Sequence, residues 1–265
     1  MVLLEVANLS HAFGGLQALA NFNVSLKSGD LVGLIGPNGA GKTTVFNLIS
    51  GVYRPTQGRL IFAGQDITGW PSYRRMAAGL SRTFQNIRLF KDMSVLDNVR
   101  LGAFSQFTYS FFQLVGRTAF FHQEEKHISQ QAMEMLARFG LERYAHYPAR
   151  NLPYGEQRRL EIARALISRP KLLLLDEPAA GMNQAETLDL VALLRELHRE
   201  FQLTIMLIEH HMGVVQDLCQ QVQVLDFGST IFAGDPHSAQ QHPQVLEAYL
   251  GREDNGLNEV KSWQQ

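Results

Sequence analysis

The segment Gly36-Pro37-Asn38-Gly39-Ala40-Gly41-Lys42-Thr43 constrains this chain more than any other. It fits the phosphate-cradling pattern G-x-x-x-x-G-K-[ST], and its neighbours fit too. Leu31–Ile35 (LVGLI) is a short apolar run that reads as a buried strand, and Thr43–Ser50 reads as a helix with Gly51 placed to end it. Glycines let backbone N–H groups curl around phosphate oxygens, and a helix N-terminus adds partial positive charge. Lys42 suits β- and γ-phosphates, and the Thr43 hydroxyl suits Mg²⁺. The four fixed positions recur by accident in on the order of 1% of chains this long, before the strand–loop–helix context is counted. Phosphate binding is therefore the expected role of this loop.

The rest of the chain reads as an α/β core around that loop. Residues 3–13 and 21–26 partly alternate apolar with polar side chains, the pattern of antiparallel strands with one covered face, and 59–62 reads as another short strand. Helical patterns dominate from about Ile87 to Arg150. Lys171–Leu175, Thr204–Ile208 and Val222–Leu225 are buried strands. A helix over Gln184–Phe201 carries Leu190, Leu194 and Leu197 on one face, with Asn183 and Glu186 spaced as a capping box. Helices alternating with apolar strands predict a parallel sheet.

A second chemical motif is Leu172–Pro178, LLLLDEP. Leucines bury the strand, and two carboxylates emerge at its carboxyl end, where open α/β sheets bind ligands. Asp176 is placed to hold Mg²⁺ and Glu177 to polarise an attacking water near the γ-phosphate. Read alone, D-E-P is also ordinary turn chemistry.

Composition excludes several other classes. The chain has 265 residues, 45% hydrophobic and 18% charged, which is globular rather than disordered. Lys+Arg number 24 against 25 Asp+Glu, so no sequence-wide basic footprint points to nucleic acid. Arg158, Arg159 and Arg164 are expected on a helix in solvated or intrachain roles. One cysteine, Cys219, forbids an intramolecular disulfide and fits a reducing compartment. No apolar run approaches the roughly 18 residues of a membrane span, and Met1–Leu9 lacks the pattern of a secretory signal.

A third segment narrows the reading. Leu152-Pro153-Tyr154-Gly155-Glu156-Gln157-Arg158-Arg159-Leu160-Glu161-Ile162-Ala163-Arg164-Ala165-Leu166 resembles the signature motif and following helix of ABC transporter ATPases. That family's other motifs follow in order from about Leu3 to Gly251. Gln85 in TFQNIRLF resembles the Q-loop glutamine, Ala180–Asn183 the D-loop, and His210 in LIEHHM the switch histidine. Phe13 stands where the family sets an aromatic ring against adenine; it also reads as a core aromatic at a strand end. His211 has no assigned role and is expected at the surface.

The pieces MSVLDNV, LLLLDEPAAGMN, LIEHHM and PQVLEAYLG further resemble ATPase subunits of importers for branched-chain or neutral amino acids, whose relatives serve urea and short amides. The resemblance implies an ABC ATPase fold of the P-loop NTPase type. It has a mixed-sheet core, an antiparallel β subdomain and an inserted α-helical subdomain at about 87–165. It implies one domain over 1–251, then a polar tail at 252–265. It implies ATP held by Phe13, Gly36, Pro37, Asn38, Gly39, Ala40, Gly41, Lys42, Thr43 and Thr44. Mg²⁺ falls to Thr43, Gln85 and Asp176, and hydrolysis to Glu177, His210 and Gln85. Tyr154, Gly155 and Glu156 would touch the ATP of an opposing subunit.

Implied partners are a second ATPase subunit, with a non-identical pair favoured, membrane permease subunits and, indirectly, a periplasmic substrate-binding protein. The chain would sit peripherally on the cytoplasmic face of the inner membrane. An exporter motor of the lipopolysaccharide type is the more distant alternative. One departure stands out: Pro153 occupies the position of the signature serine and has no donor to offer. An aromatic-rich stretch at about 104–127 reads either as a surface touching membrane subunits or as a packed helical hairpin.

Overall fold

The structure, a computed structural model, describes residues 1–104 and 119–250. Most of the aromatic stretch, including Phe107, Tyr109, Phe111 and Phe112, lies outside the described residues, as does the polar tail.

Two sheets and a set of helices form the molecule. Strands β1 (Val2–Phe13) and β2 (Leu16–Lys27) form an antiparallel hairpin, and β4 (Gln57–Phe62) and β5 (Gln65–Asp66) continue that sheet in the order β2-β1-β4-β5. The second sheet has six strands. It uses β3 (Leu31–Ile35), β6 (Leu80–Arg82), β7 (Leu172–Asp176), β8 (Thr204–Ile208), β9 (Gln221–Asp226) and β10 (Ser229–Gly234), in the order β10-β9-β3-β8-β7-β6. Neighbours from β9 to β6 run parallel, whereas β10 returns antiparallel to β9. Every residue of β3, β7 and β8 is buried, which their unbroken apolar runs predict for strands covered on both faces.

Helix α1 (Lys42–Ile49) follows the glycine loop and packs Val45, Phe46, Leu48 and Ile49 between the two sheets. The other face of the six-stranded sheet is covered by α3 (Val95–Gly102), α4 (Ala119–Arg138), α5 (Tyr154–Leu166) and α6 (Gln184–Phe201). Shorter helices are α2 (Ser72–Ala77), α7 (Met212–Leu218), α8 (Pro236–Gln241) and α9 (Pro243–Leu250). On α6 the capping box forms in both directions between Asn183 and Glu186, and Leu190, Leu194 and Leu197 are buried.

The sequence pattern is less accurate elsewhere. Residues 87–94 are not helical; side-chain bonds between Asn98 and the backbone of Phe90 hold that stretch in a loop. Strand β6 escapes sequence detection because it has three residues and an arginine at its end. Cys219 is buried, and desolvation pushes its thiol far above the ordinary range, so it behaves as a small apolar side chain. Among the described residues no helix is long and apolar enough to cross a membrane.

Candidate functional site

Strand order determines what meets at the site. The carboxyl ends of β3, β8, β7 and β6 are adjacent, so the loops after all four open on one edge. Those loops carry Gly36–Gly41, Glu209 and His210, Glu177, and Gln85 respectively, and Asp176 is the last residue of β7.

The glycine loop has little room for side chains. A Cβ on Gly36 would stand 2.1 Å from the Leu225 carbonyl oxygen, and Gly36 itself has φ +145°. A Cβ on Gly41, at φ +105°, would stand 2.8 Å from the Ala18 carbonyl oxygen. The chain therefore passes closer to β2 and β9 than any other residue would permit. Lys42 is buried, and its Nζ donates to the carbonyls of Gly36 at 2.5 Å and Pro37 at 3.0 Å. Thr43 stands exposed on the first turn of α1 with Thr44 beside it.

Glu177 is the hub of the cluster. Gln85 Nε2 donates to Glu177 Oε2 at 2.9 Å, and His210 Nε2 pairs with Glu177 Oε1. Its backbone is left-handed, at φ 48°, and its N–H donates to the Ile208 carbonyl at 2.9 Å. Such a conformation in a non-glycine residue is held by the surrounding bonds and is concentrated at working sites. Burial alone would raise the Glu177 carboxyl; the hydrogen bond and charge of His210, then Gln85 and Lys42, hold it below the usual range.

Asp176, one residue earlier, is buried with Arg82 Nη2 2.9 Å from its Oδ2. Burial pushes its carboxyl up against the pull of the Arg82 bond and charge. A hydroxyl at Thr43, a carboxylate at Asp176 and an amide at Gln85 are hard oxygen donors. That chemistry fits a magnesium ion shared with phosphates.

Two predicted groups lie apart from this cluster. Phe13 closes the β1–β2 hairpin, half exposed, with ring contacts to His11 at 4.6 Å and Tyr53 at 5.3 Å. It is not core, and the hairpin leads to Ala18, whose carbonyl abuts Gly41. Tyr154–Glu156 start α5, with Pro153 as its cap residue. A Cβ on Gly181 would touch the Tyr154 ring at 3.0 Å, and one on Gly155 would stand 3.3 Å from Glu186 Oε1. The signature segment thus packs on the D-loop and the start of α6.

Arg82 and Glu209, to which the motif reading gives no role, and Arg158, expected in a solvated or intrachain role, are built into the site. Arg82 is described above. Arg158 is fully buried: its guanidinium donates to the carbonyls of Phe84 and Gln85, each at 2.7 Å, and to Glu161 Oε2 at 2.8 Å. Glu209 is 1% exposed and accepts from the N–H of Ala179 at 2.9 Å and of His210 at 3.1 Å. A signal for Glu209 exists in the sequence, since TIMLI-E repeats the pattern of LLLL-D: an acid directly after a buried strand. His211 is exposed, with its Nδ1 3.6 Å from Glu209 Oε2.

A glycine loop between strand and helix, beside acids at the ends of neighbouring parallel strands, defines a P-loop nucleotide-binding fold. The ABC transporter family profile matches residues 19–180. The high-affinity branched-chain amino acid transport ATP-binding protein BraF of Pseudomonas aeruginosa is 41% identical over 249 residues, 94% of this chain and 98% of its own. LivG of Escherichia coli K12, which carries the same description, is 41% identical over the same shares. A solved ATP-binding cassette of an ABC transporter, in its ADP conformation, matches with a TM-score of 0.82 at 30% identity, covering 95% of this chain and 100% of that one. The chain belongs to the ABC transporter family, as an ATP-binding cassette ATPase.

Proposed function

We propose that this chain is the ATP-hydrolysing motor of an importer that moves branched-chain or neutral amino acids through separate permease subunits. The observation that carries the reading is the 41% identity to BraF and LivG across 94% of the chain. One cassette domain over 1–251, with a helical subdomain at about 87–165, fits the helices gathered on one face of the main sheet.

The glycine-loop amides and Lys42 hold the β- and γ-phosphates, and Phe13 stacks on adenine. Thr43, Asp176 and Gln85 would hold Mg²⁺, which supplies charge neutralisation on the phosphates. Glu177 accepts a proton from the attacking water. His210 holds Glu177 in place and turns to the γ-phosphate when ATP is bound. A second ATPase subunit, non-identical in the favoured arrangement, presents its own signature segment to this ATP, while Tyr154, Gly155 and Glu156 of this chain close on the partner's. Loss of the γ-phosphate removes the bridge and the pair opens.

A groove of about 580 Å³ runs beside the Gln85 loop, lined by Val52, Tyr73, Met76, Phe84, Phe90 and Leu101 among other residues. Tyr73 is 73% and Phe90 53% exposed, and an apolar patch of this kind marks a protein contact. It is the proposed seat of a cytoplasmic permease segment, which would place the chain peripherally at the inner membrane. The periplasmic binding protein would act on it only through the permease.

Affinity purification of the chain from detergent-solubilised membranes should recover integral permease subunits, and deleting its gene should depress uptake of a labelled branched-chain amino acid. Recovery without membrane proteins would overturn the transporter reading. Normal amino-acid uptake with impaired urea or short-amide uptake would replace the cargo.

A further inference from the structure

Arg82 ends β6, three residues before Gln85, and its guanidinium joins two separate parts of the nucleotide site. Nη1 donates to Asn47 Oδ1 at 2.7 Å and to Ser50 Oγ at 3.0 Å. Both acceptors belong to the helix that begins at the glycine loop, Asn47 within α1 and Ser50 as its cap. Nη2 donates to Asp176 Oδ2 at 2.9 Å, and the two side chains keep only 5% and 3% of their accessibility. The guanidinium also lies over the rings of Phe84 at 4.9 Å and Phe46 at 5.5 Å. One planar group is thus held through both terminal nitrogens beside two aromatic rings, while Asp176 N–H is fixed by Thr83 Oγ1 at 3.3 Å.

We propose that Arg82 is a positioning residue for the metal side of the nucleotide site: it fixes the Asp176 carboxylate relative to α1 and so sets how much Mg²⁺ strengthens nucleotide binding. The inference rests on the reading of Asp176 as the Mg²⁺ carboxylate. A salt bridge present only for stability would have no need of the α1 contacts, and here both terminal nitrogens are engaged, Nη1 on Asn47 and Ser50 and Nη2 on Asp176. Lysine, a compact point charge, cannot reach Asn47, Ser50 and Asp176 at once. Partners that orient a metal ligand from outside typically contribute 10–100-fold to metal affinity.

The test is equilibrium binding of a fluorescent ATP analogue to the full chain with and without Mg²⁺, which needs no turnover. R82K and R82M should lose about 10-fold or more of the Mg²⁺-dependent gain in affinity, with Mg²⁺-free binding unchanged and R82K the milder. D176N should lose the gain as well. Loss in D176N with a full gain in R82K and R82M would overturn the role of Arg82. A full gain in D176N would overturn the metal reading of Asp176, and the proposal with it. If R82M fails to fold because it leaves a buried acid unpaired, R82M/D176N removes both charges. Its Mg²⁺ response should equal that of D176N alone; a response different from D176N in either direction would show that Arg82 does not act through Asp176.

Discussion

His210 and Glu177, at the ends of adjacent strands β8 and β7, are joined side chain to side chain: the imidazole Nε2 pairs with Glu177 Oε1. Gln85 holds the second carboxylate oxygen at 2.9 Å. The carboxylate is thereby ionised and aimed by two loops at once, which is the condition a general base needs.

Replacing Glu177 by Gln removes the proposed proton acceptor but keeps the shape and an oxygen for Gln85. Turnover in E177Q should fall by about 100-fold or more, with ATP affinity unchanged. Phosphate release and a binding titration on the same preparation check this. Normal turnover would remove Glu177 from the role of base.

Glu209 pins the loop after β7 to the loop after β8 through the N–H groups of Ala179 and His210. E209A leaves the buried Ala179 N–H and the part-buried His210 N–H without their acceptor and should cost roughly 1–3 kcal/mol in chemical denaturation. Turnover should also drop, because His210 loses its backbone anchor, while ATP affinity holds. A stability loss with wild-type turnover would confine Glu209 to a structural role.

The elements around this cluster were legible where one physical signal sufficed. LVGLI, LLLLD and TIMLI are buried throughout, and each holds an unbroken run of four or five apolar residues, with polar Asp176 and Thr204 only at strand ends. The α6 box was readable because Asn183 and Glu186 act locally. The partners of Arg82 and Arg158 were not, because they lie far along the chain: Arg82 and Asp176 are 94 residues apart, and Arg158 and Phe84 are 74. Charge in a sequence defaults to solvent until the fold supplies a partner. Pairing of β6 beside β7, itself invisible to periodicity, brings Arg82 to Asp176.

Arg158 fastens the Gln85 loop to α5 through the carbonyls of Phe84 and Gln85. R158A strands Glu161 as a buried acid without its guanidinium and should cost about 3–5 kcal/mol. R158K keeps the charge but not the reach, and should fall between. Urea unfolding of the three proteins orders them, and equal midpoints would refute the anchoring.

His211 gives a pH signature. Its ion pair with Glu209 raises the imidazole above its ordinary 6.5 despite partial burial. A raised folded value means the contribution is complete below pH 6.5 and disappears as pH climbs through the folded value. The His211 side chain is 62% exposed, so the effect is no more than about 1 kcal/mol. Melting curves should show wild type above H211Q on the acid side of neutrality and level with it near pH 9. A gap that widens with rising pH would reverse the assignment.

Pro153 tests the signature segment. It caps α5 without a side-chain bond, and Glu156 stands three residues on. P153S would therefore complete an S-x-x-E capping box, a gain of about 0.5–1 kcal/mol. Freeing the unfolded chain from proline offsets about 0.4–1 kcal/mol, so stability should stay nearly level. Any change in nucleotide-driven pairing then comes from the hydroxyl itself, which the family places against the γ-phosphate of the opposing subunit. A hydrogen bond to a charged group contributes about 1.5–3 kcal/mol, enough to tighten ATP-dependent association about 10-fold. In the E177Q background, where ATP is not consumed, sedimentation with a graded protein concentration measures that shift. Association that tightens equally without ATP would place the hydroxyl in the protein interface, and unchanged association would show that Gly155 and the α5 N-terminus already satisfy the phosphate.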